Sequence, residues 1–341
     1  MAADSPFGQA TRMRVLKAYL SDTASITAAD AWIHVYRCLL WMNEGAGLAH
    51  IYDSNHMQPG GVFHGRAVRF TELLCRAWGI TRRELPERID ILFGGCVAEL
   101  KRRQEDTVVG ESIDPETESE LISAIEAVLR SEELPAGRIP AVSRNIESLS
   151  RHFFTIGNKR KNALGEGFED LLLLLLQRVA RIPVAKLSMR TPVSKLPGFR
   201  RAAPRRRGER GGREPRPDIA VIEDNITHVI TTAKWSMRQD RETQFQSEFN
   251  SYQMNKVQPT ELRFVLITNE FDIARLKNVL RATPTGAGGY IFHNVYHVSL
   301  PLLRGTHAER FREIEPWVGT GQLQSLSDFL ADMQGRYGDP I

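Results

Sequence analysis

The sequence lacks long apolar runs and is poor in cysteine, and both features limit where the protein can act. Its longest uninterrupted apolar run, Leu171–Leu176, is far shorter than the roughly 20 residues that a membrane-spanning helix requires. The segment Met1–Gln9 has no basic start followed by an apolar stretch, so it does not resemble a secretory signal. The three cysteines, Cys38, Cys75 and Cys96, are an odd number without metal-ligand spacing. We expect buried free thiols in a soluble, cytoplasmic protein.

The sequence also lacks a strong excess of charge of one sign. Its 341 residues include 45 lysines and arginines against 41 aspartates and glutamates, and the formal net charge is +4. Hydrophobic residues make up 42% of the chain, which is typical of a globular protein and not of a disordered one. The positive charge is concentrated in residues 200–216. This arginine-rich segment is either a solvated linker or an arm that binds phosphates, because arginine matches phosphate oxygens.

Two domains are expected from the length of the chain and from a change in its pattern. Residues 1–140 have apolar residues at helical spacing and predict an all-helical domain. This domain could contact flanking DNA, support oligomerisation or be a structural cap. Residues 141–341 alternate β-like and helical runs, which predicts an α/β domain with a central mixed β-sheet flanked by helices.

The predicted sheet contains a hairpin that begins with a Pro-Asp pair. Residues 216–222 and 226–233 are β-like, and the acidic and amide residues between them favour a tight turn. A buried helix, apolar on nearly every side, is predicted after Gly167. Further strands are predicted at 263–268 and 290–300, and helices at 239–254 and 271–281.

Asp218 and Lys234 of this hairpin have the residue types of a metal-dependent phosphodiesterase. Asp218 begins one strand and Lys234 ends its partner, so antiparallel pairing brings both to one edge of the sheet. Phosphodiester hydrolysis requires charge stabilisation and an activated water, which Mg²⁺ supplies when carboxylates hold it beside a lysine. In the usual arrangement a second carboxylate lies two residues before the lysine, but that position is Thr232.

A replacement carboxylate is available on the helix that follows. Glu248 lies about two turns after Arg241, so these two residues share one helix face. A carboxylate that reaches from this helix toward the sheet could occupy the volume above Thr232. Glu242 is an alternative, but it lies off that face, and we therefore favour Glu248.

Arg238, Asp240 and Arg241 lie between the lysine and Glu248, and their side chains suit G·C pairs in the major groove of DNA. Arginine can donate two hydrogen bonds to guanine, and aspartate can accept one from cytosine. On their own, three such residues more often form a surface ion-pair cluster. We expect the neighbouring Trp235 to pack against the sheet edge and not to stack on a base.

The full spacing resembles the CCGG family of type II restriction endonucleases, a branch of the PD-(D/E)XK nucleases. In that family a serine or threonine replaces the strand carboxylate, a glutamate of the following helix takes its role, and an Arg-x-Asp-Arg element reads the CC/GG core. The resemblance covers about residues 141–300, and residues 1–140 show no family pattern. The matching elements are Pro217-Asp218, Thr232-x-Lys234, Arg238-x-Asp240-Arg241 and Glu248.

The resemblance implies a role for each of these positions. The family also has a glutamate on an upstream helix near the metal, for which Glu169 is the best match and Glu166 and Asp170 are alternatives. The alternative for Glu169 is a purely structural role, in which the helix dipole favours a carboxylate near the start of the helix. The implied roles are Mg²⁺ ligation by Asp218 and Glu248, catalysis by Lys234, and base reading by Arg238, Asp240 and Arg241.

The resemblance further implies a restriction-endonuclease-like fold and a prokaryotic enzyme that cuts both strands of DNA at a palindromic site. The site would contain CCGG, or CC and GG around a central base, and the cut would leave 5′ overhangs. A homodimer would present one active site to each strand, and a DNA methyltransferase would belong to the same restriction system.

Two other functions are compatible with the residues. A structure-selective repair or recombination nuclease of the same fold would use the predicted base readers to contact phosphates. A non-catalytic DNA-binding module derived from a nuclease is disfavoured by Asp218, Lys234 and Glu248, because binding alone does not require a pair of metal-holding carboxylates.

Overall fold

The structure, a computed structural model, describes residues 5–43, 47–48, 64–102, 160, 162–200, 214–237, 241–257, 259–284 and 289–339. The predicted domain boundary near residue 140 lies outside the described residues. So does most of the arginine-rich segment, residues 201–213.

Helices and strands alternate in the second half of the chain, as the sequence pattern predicts. The helices are α1 (Gln9–Asp22), α2 (Ala31–Leu39), α3 (His64–Trp78), α4 (Ile91–Arg102), α5 (162–178), α6 (Arg241–Asn255), α7 (Ile273–Arg281), α8 (Leu300–Thr306), α9 (Glu315–Gly319) and α10 (Leu326–Tyr337). The strands are β1 (Met42–Asn43), β2 (Gly47–Leu48), β3 (Leu187–Met189), β4 (Ile219–Glu223), β5 (Ile226–Lys234), β6 (Arg263–Thr268), β7 (Asn294–His297) and β8 (Leu323–Ser325).

Strands β3 to β8 form a six-stranded mixed sheet in chain order. β3, β4 and β5 pair antiparallel, whereas β5, β6, β7 and β8 pair parallel. Helices cover both faces, and further helices precede the sheet in the sequence. The predicted α/β class, with a central mixed sheet flanked by helices and preceded by a helical region, is confirmed.

The β4–β5 hairpin turns at Asp224 and Asn225, whose φ angles are 51° and 58°. Both angles lie in the left-handed region that a two-residue type I′ turn requires, and aspartate and asparagine tolerate this region better than most residues. Ile219 pairs with Thr231 in the resulting register. Asp218, just before β4, therefore lies opposite the last residues of β5.

Helix α6 covers one face of the sheet. Tyr252 of α6 packs on Phe264 of β6, with ring centroids 5.4 Å apart. Phe264 pairs with Ile230 in the parallel β5–β6 register, so the two side chains share a face. Because side chains alternate along a strand, Thr232 and Lys234 lie on this α6-covered face as well.

Helices α5 and α10 cover the opposite face. Phe329 of α10 contacts Tyr296 of β7 with ring centroids 5.0 Å apart, and Phe168 of α5 contacts Trp235 at 5.4 Å. Trp235 directly follows β5 and is 6% exposed, in agreement with the prediction that it packs at the sheet edge.

Helices α1 to α4 pack directly on the α/β part of the chain. Their buried apolar residues belong to the same hydrophobic core as those of the sheet. Tyr36 of α2 donates a buried hydrogen bond of 2.8 Å to Asn269 Oδ1, which follows β6. Within the described residues the N-terminal helices and the sheet therefore share one core, and the division near residue 140 stays a prediction.

All three cysteines are buried and unpaired, as predicted. Of the helices that the structure describes, none is both long and apolar enough to cross a membrane.

Candidate active site

Asp218 and Lys234 meet at the edge of the sheet where β4 begins and β5 ends. Lys234 Nζ donates to Asp218 Oδ2 at 2.8 Å, and the backbone N–H of Ala233 donates to the same oxygen at 2.7 Å. Solvent still reaches both side chains, since 14% of Asp218 and 21% of Lys234 is exposed. The antiparallel pairing thus brings the two predicted residues into direct contact at a partly open site.

Glu169 approaches this pair from α5. Its carboxylate accepts a 2.6 Å hydrogen bond from Arg190 Nε. Burial is the main cause that raises the pKa of Glu169 to about 7, and the negative charge of Asp218 acts in the same direction. Lys234 and Arg190 oppose this rise in pKa. The charges of Asp218 and Lys234 both act on Glu169, so Glu169 lies near this pair.

Arg190 links Glu169 to the backbone of Asp218, and no sequence pattern pointed to it. Its side chain binds Glu169, and its backbone N–H donates to the carbonyl oxygen of Asp218 at 3.2 Å. Arg190 has a φ of 50°, a conformation that is costly for a residue other than glycine. It directly follows β3, which at three residues is too short to be recognised by periodicity.

The two alternatives to Glu169 have a further partner, Arg12. Asp170 Oδ2 accepts from Arg12 Nε at 2.7 Å, and Glu166 pairs with Arg12 Nη1 at 2.6 Å. Arg12 belongs to α1, and its side chain is 3% exposed. These two carboxylates therefore balance a buried arginine, and Asp170 Oδ1 also lies 3.2 Å from Nη2 of Arg190, the residue that binds Glu169.

Glu248 lies on α6, which covers the face of the sheet that carries Thr232. It is one helical turn before Tyr252, so both residues lie on the same side of α6. Burial raises the pKa of the Tyr252 hydroxyl well above its usual range, and the negative charges of Glu248 and Asp218 raise it further. Gln244 Nε2 donates to Glu248 Oε1 at 2.6 Å. The two predicted metal ligands, which lie on different elements, thus both act electrostatically on one buried tyrosine.

The carboxylates of this site are oxygen donors of the kind that Mg²⁺ prefers. No three His, Cys, Asp or Glu side chains within the described ranges are arranged to hold a metal ion on their own. Mg²⁺ commonly binds one or two carboxylates and completes its shell with water and substrate phosphate oxygens. Asp218 and Glu248 fit such a site, because Lys234 and Ala233 both donate to Oδ2 of Asp218 and, among the described residues, no hydrogen bond engages its Oδ1.

The predicted base readers are at the limit of the described residues. Arg238 and Asp240 lie outside them, as do the side chains of Arg241 and Glu242. Arg241 is the first residue of α6. Their roles stay predictions, whereas Met237, immediately before Arg238, is described and buried.

No protein-family model and no curated protein matches the chain. Among solved structures, the chain is similar to a complex described as "Restriction endonuclease PspGI-substrate DNA complex". The two chains are 11% identical, the similarity covers 83% of this chain and 96% of that chain, and the TM-score is 0.32. We draw no inference from a likeness of this size and base the function on the geometry of the site.

Proposed function

We propose that this protein is a Mg²⁺-dependent, site-specific endonuclease that cuts both strands of DNA. The observation that carries the proposal is the 2.8 Å contact between Lys234 Nζ and Asp218 Oδ2 at the sheet edge. Glu169 lies beside this contact, and Glu248 lies on the helix that covers the same face of the sheet. A lysine among carboxylates suits phosphodiester hydrolysis, in which charge develops on the phosphate and water must be deprotonated.

Each residue has a distinct task in this mechanism. Asp218 Oδ1 and the Glu248 carboxylate would hold Mg²⁺, which when bound polarises the phosphate and lowers the pKa of a bound water. Lys234, held by Asp218, orients the attacking water and stabilises negative charge on the phosphate. Glu169 adds a carboxylate that Arg190 keeps in place. Thr232 leaves room for the carboxylate that comes from α6.

We further propose that Arg238, Asp240 and Arg241 read a palindromic site with a CC/GG core, as CCGG or as CC and GG around a central base. A homodimer would place one active site on each strand of such a palindrome, and its cuts would leave 5′ overhangs. The enzyme would act in the cytoplasm of a prokaryote, beside a DNA methyltransferase that protects the same site.

Digestion of plasmid DNA of known sequence tests the proposal. We expect discrete fragments with Mg²⁺ and none after chelation, and sequencing of the fragment ends would give the site and the overhang. Lys234→Met, which keeps the length of the side chain without its charge, should produce no fragments. Cleavage confined to junctions or flaps would favour a structure-selective nuclease. Specific binding without cleavage in any divalent metal would favour a non-catalytic DNA-binding module.

A further inference from the structure

Met237 is held by two side chains, Glu270 and Arg275, of the segment that follows β6. Its backbone N–H donates to Glu270 Oε2 at 2.7 Å, and Arg275 Nη1 donates to its carbonyl oxygen at 2.6 Å. Met237 and Glu270 are 2% and 1% exposed. Arg275 is a charged donor, and hydrogen bonds of this kind are about twice as strong as neutral ones. Met237 is therefore fixed, although the pairing of β5 ends at Lys234.

The two hydrogen bonds act on the two peptide units that flank Met237. The N–H belongs to the unit shared with Ser236, and the carbonyl belongs to the unit that leads into Arg238. Each peptide unit is planar, so an anchor on both units restricts φ and ψ of Met237. The two hydrogen bonds thereby fix the backbone at Met237, the last described residue before Arg238.

Glu270 is itself anchored in the core of the sheet. Its Oε1 accepts from the backbone N–H of Asp272 at 2.7 Å, and its own N–H donates to Thr268 Oγ1 at 3.1 Å. Its carbonyl oxygen lies 3.1 Å from Nε2 of the buried His297. Ser299 N–H donates to Nδ1 of the same ring, which leaves the proton on Nε2 for the Glu270 carbonyl.

We infer that Glu270 and Arg275 are positioning residues that set the DNA sequence specificity of the enzyme. The inference rests on the proposed function, in which the base-reading residues begin at Arg238. Recognition side chains must be held to within about 0.5 Å of their working geometry, and the reading element follows Met237 directly. Lys234 lies before Met237 and has its own support in Asp218. We call the hydrogen bonds of Glu270 and Arg275 to the Met237 backbone the clamp. Loss of the clamp should therefore impair discrimination between DNA sequences more than the cleavage rate.

Arg275→Met tests the clamp because it removes the donor and keeps an unbranched side chain. The matched control is Arg281→Met on the same helix, where Arg281 stacks over Trp317 with its Cζ 5.7 Å from the ring centroid. Arg275→Lys retains a donor and should partly restore the wild-type behaviour. Glu270→Gln provides an independent test, because it keeps the shape of the buried side chain but turns one acceptor oxygen into an N–H₂ group.

Amide hydrogen exchange of the free, full-length protein reports on the clamp itself. We expect the Met237 amide to exchange at least about tenfold faster in Glu270→Gln and in Arg275→Met, since a side-chain hydrogen bond to the Met237 backbone is weakened or lost in each. The amides of β6 should keep their wild-type exchange rates, as should Met237 in Arg281→Met. Unchanged exchange at Met237 in both clamp variants would overturn the inference, whether or not the protein cuts DNA.

Discrimination between sites reports on specificity. The measured quantity is the ratio of kcat/KM on the recognised site to kcat/KM on sites with one core base pair replaced. We expect this ratio to fall at least about tenfold in Arg275→Met, within the range that a lost base contact costs, and to be unchanged in Arg281→Met. If the wild type selects a site and both clamp variants keep its ratio, the inference is wrong and the proposed function stands. If the wild type cuts without any site preference, the proposed function fails and the specificity role fails with it.

Discussion

Arg12 Nε and Asp170 Oδ2 form an ion pair of 2.7 Å between residues 158 positions apart in the sequence. Both side chains are buried. Arg12 lies on α1, and Asp170 is the neighbour of Glu169 on α5. The N-terminal helices are thus tied to the helix that carries a carboxylate of the candidate active site.

Replacing Arg12 with alanine should lower the free energy of unfolding by up to about 3–5 kcal/mol, because the buried Asp170 would lose its 2.7 Å partner and keep only the 3.2 Å contact with Arg190. Arg12→Met combined with Asp170→Leu should recover most of this loss, since a buried pair can be replaced by apolar residues of similar volume. Urea denaturation of the three proteins measures the effect. A loss below about 1 kcal/mol for Arg12→Ala would place the pair in the class of surface ion pairs and contradict its structural role.

Asp218→Ala should abolish cleavage and leave specific DNA binding. Loss of an outer-shell partner of a metal ligand already costs about 10- to 100-fold in activity, so loss of a ligand should cost more than about 100-fold. Cleavage rates in Mg²⁺ and gel-shift affinities in Ca²⁺ measure the two properties separately. Cleavage at the wild-type rate would remove Asp218 from the site.

Glu248→Ala should have the same effect as Asp218→Ala, whereas Glu242→Ala should stay active. Both are glutamates of α6, so the pair is a matched comparison of two positions on one helix. Glu248 shares a helix side with Tyr252, and its charge reaches the Tyr252 hydroxyl together with that of Asp218. Cleavage assays on both variants provide the measurement, and the opposite pattern of activity would show that Glu242 is the metal ligand.

Arg238→Ala and Asp240→Ala should weaken discrimination between bases more than they weaken cutting. Each lost base contact should cost about 1–3 kcal/mol of discrimination against the wrong base pair. Competition binding between the recognised site and its single-pair variants measures this difference. A loss of affinity that is equal for all sequences would assign these residues to phosphate contacts, as expected of a structure-selective nuclease.

The buried His297 should make the fold sensitive to acid. Burial lowers its pKa from 6.5 to about 3, against the opposing effect of its hydrogen bonds with Glu270 and Ser299. Between these two values the unfolded chain binds the proton and the folded protein does not. The free energy of unfolding therefore falls by about 1.4 kcal/mol per pH unit as the pH decreases through this window.

The test of this contribution is the difference between wild type and His297→Gln. Glu270 has the opposite effect on the free energy of unfolding as the pH decreases. Burial raises its pKa from 4.5 to about 7, so between these values the folded protein binds a proton that the unfolded chain does not. Urea unfolding at several pH values should give a variant that is less stable at neutral pH but loses less stability in acid. A variant whose stability falls as steeply as that of the wild type would contradict the prediction.

The local sequence pattern was sufficient to predict the strands and helices that are long or bounded by turn residues. The strand predicted at 263–268 is β6, and the Asp224-Asn225 turn forms the predicted hairpin. The strand predicted at 290–300 is shorter, Asn294–His297, because Ser299 and Pro301 begin helix α8. β3 and β8 were not predicted, since three residues are too few for an alternating pattern to be recognised.

The sequence by itself determined which residue types could perform the chemistry and which strands would carry them. The contact of Asp218 with Lys234 follows from chain order, because a hairpin brings the start of one strand to the end of the next. Only the tertiary structure showed that Arg12 pairs with Glu166 and Asp170, and only it revealed Arg190 and the Glu270–Arg275 clamp. These relationships join elements far apart in the sequence, and packing around a shared core decides which distant side chains meet.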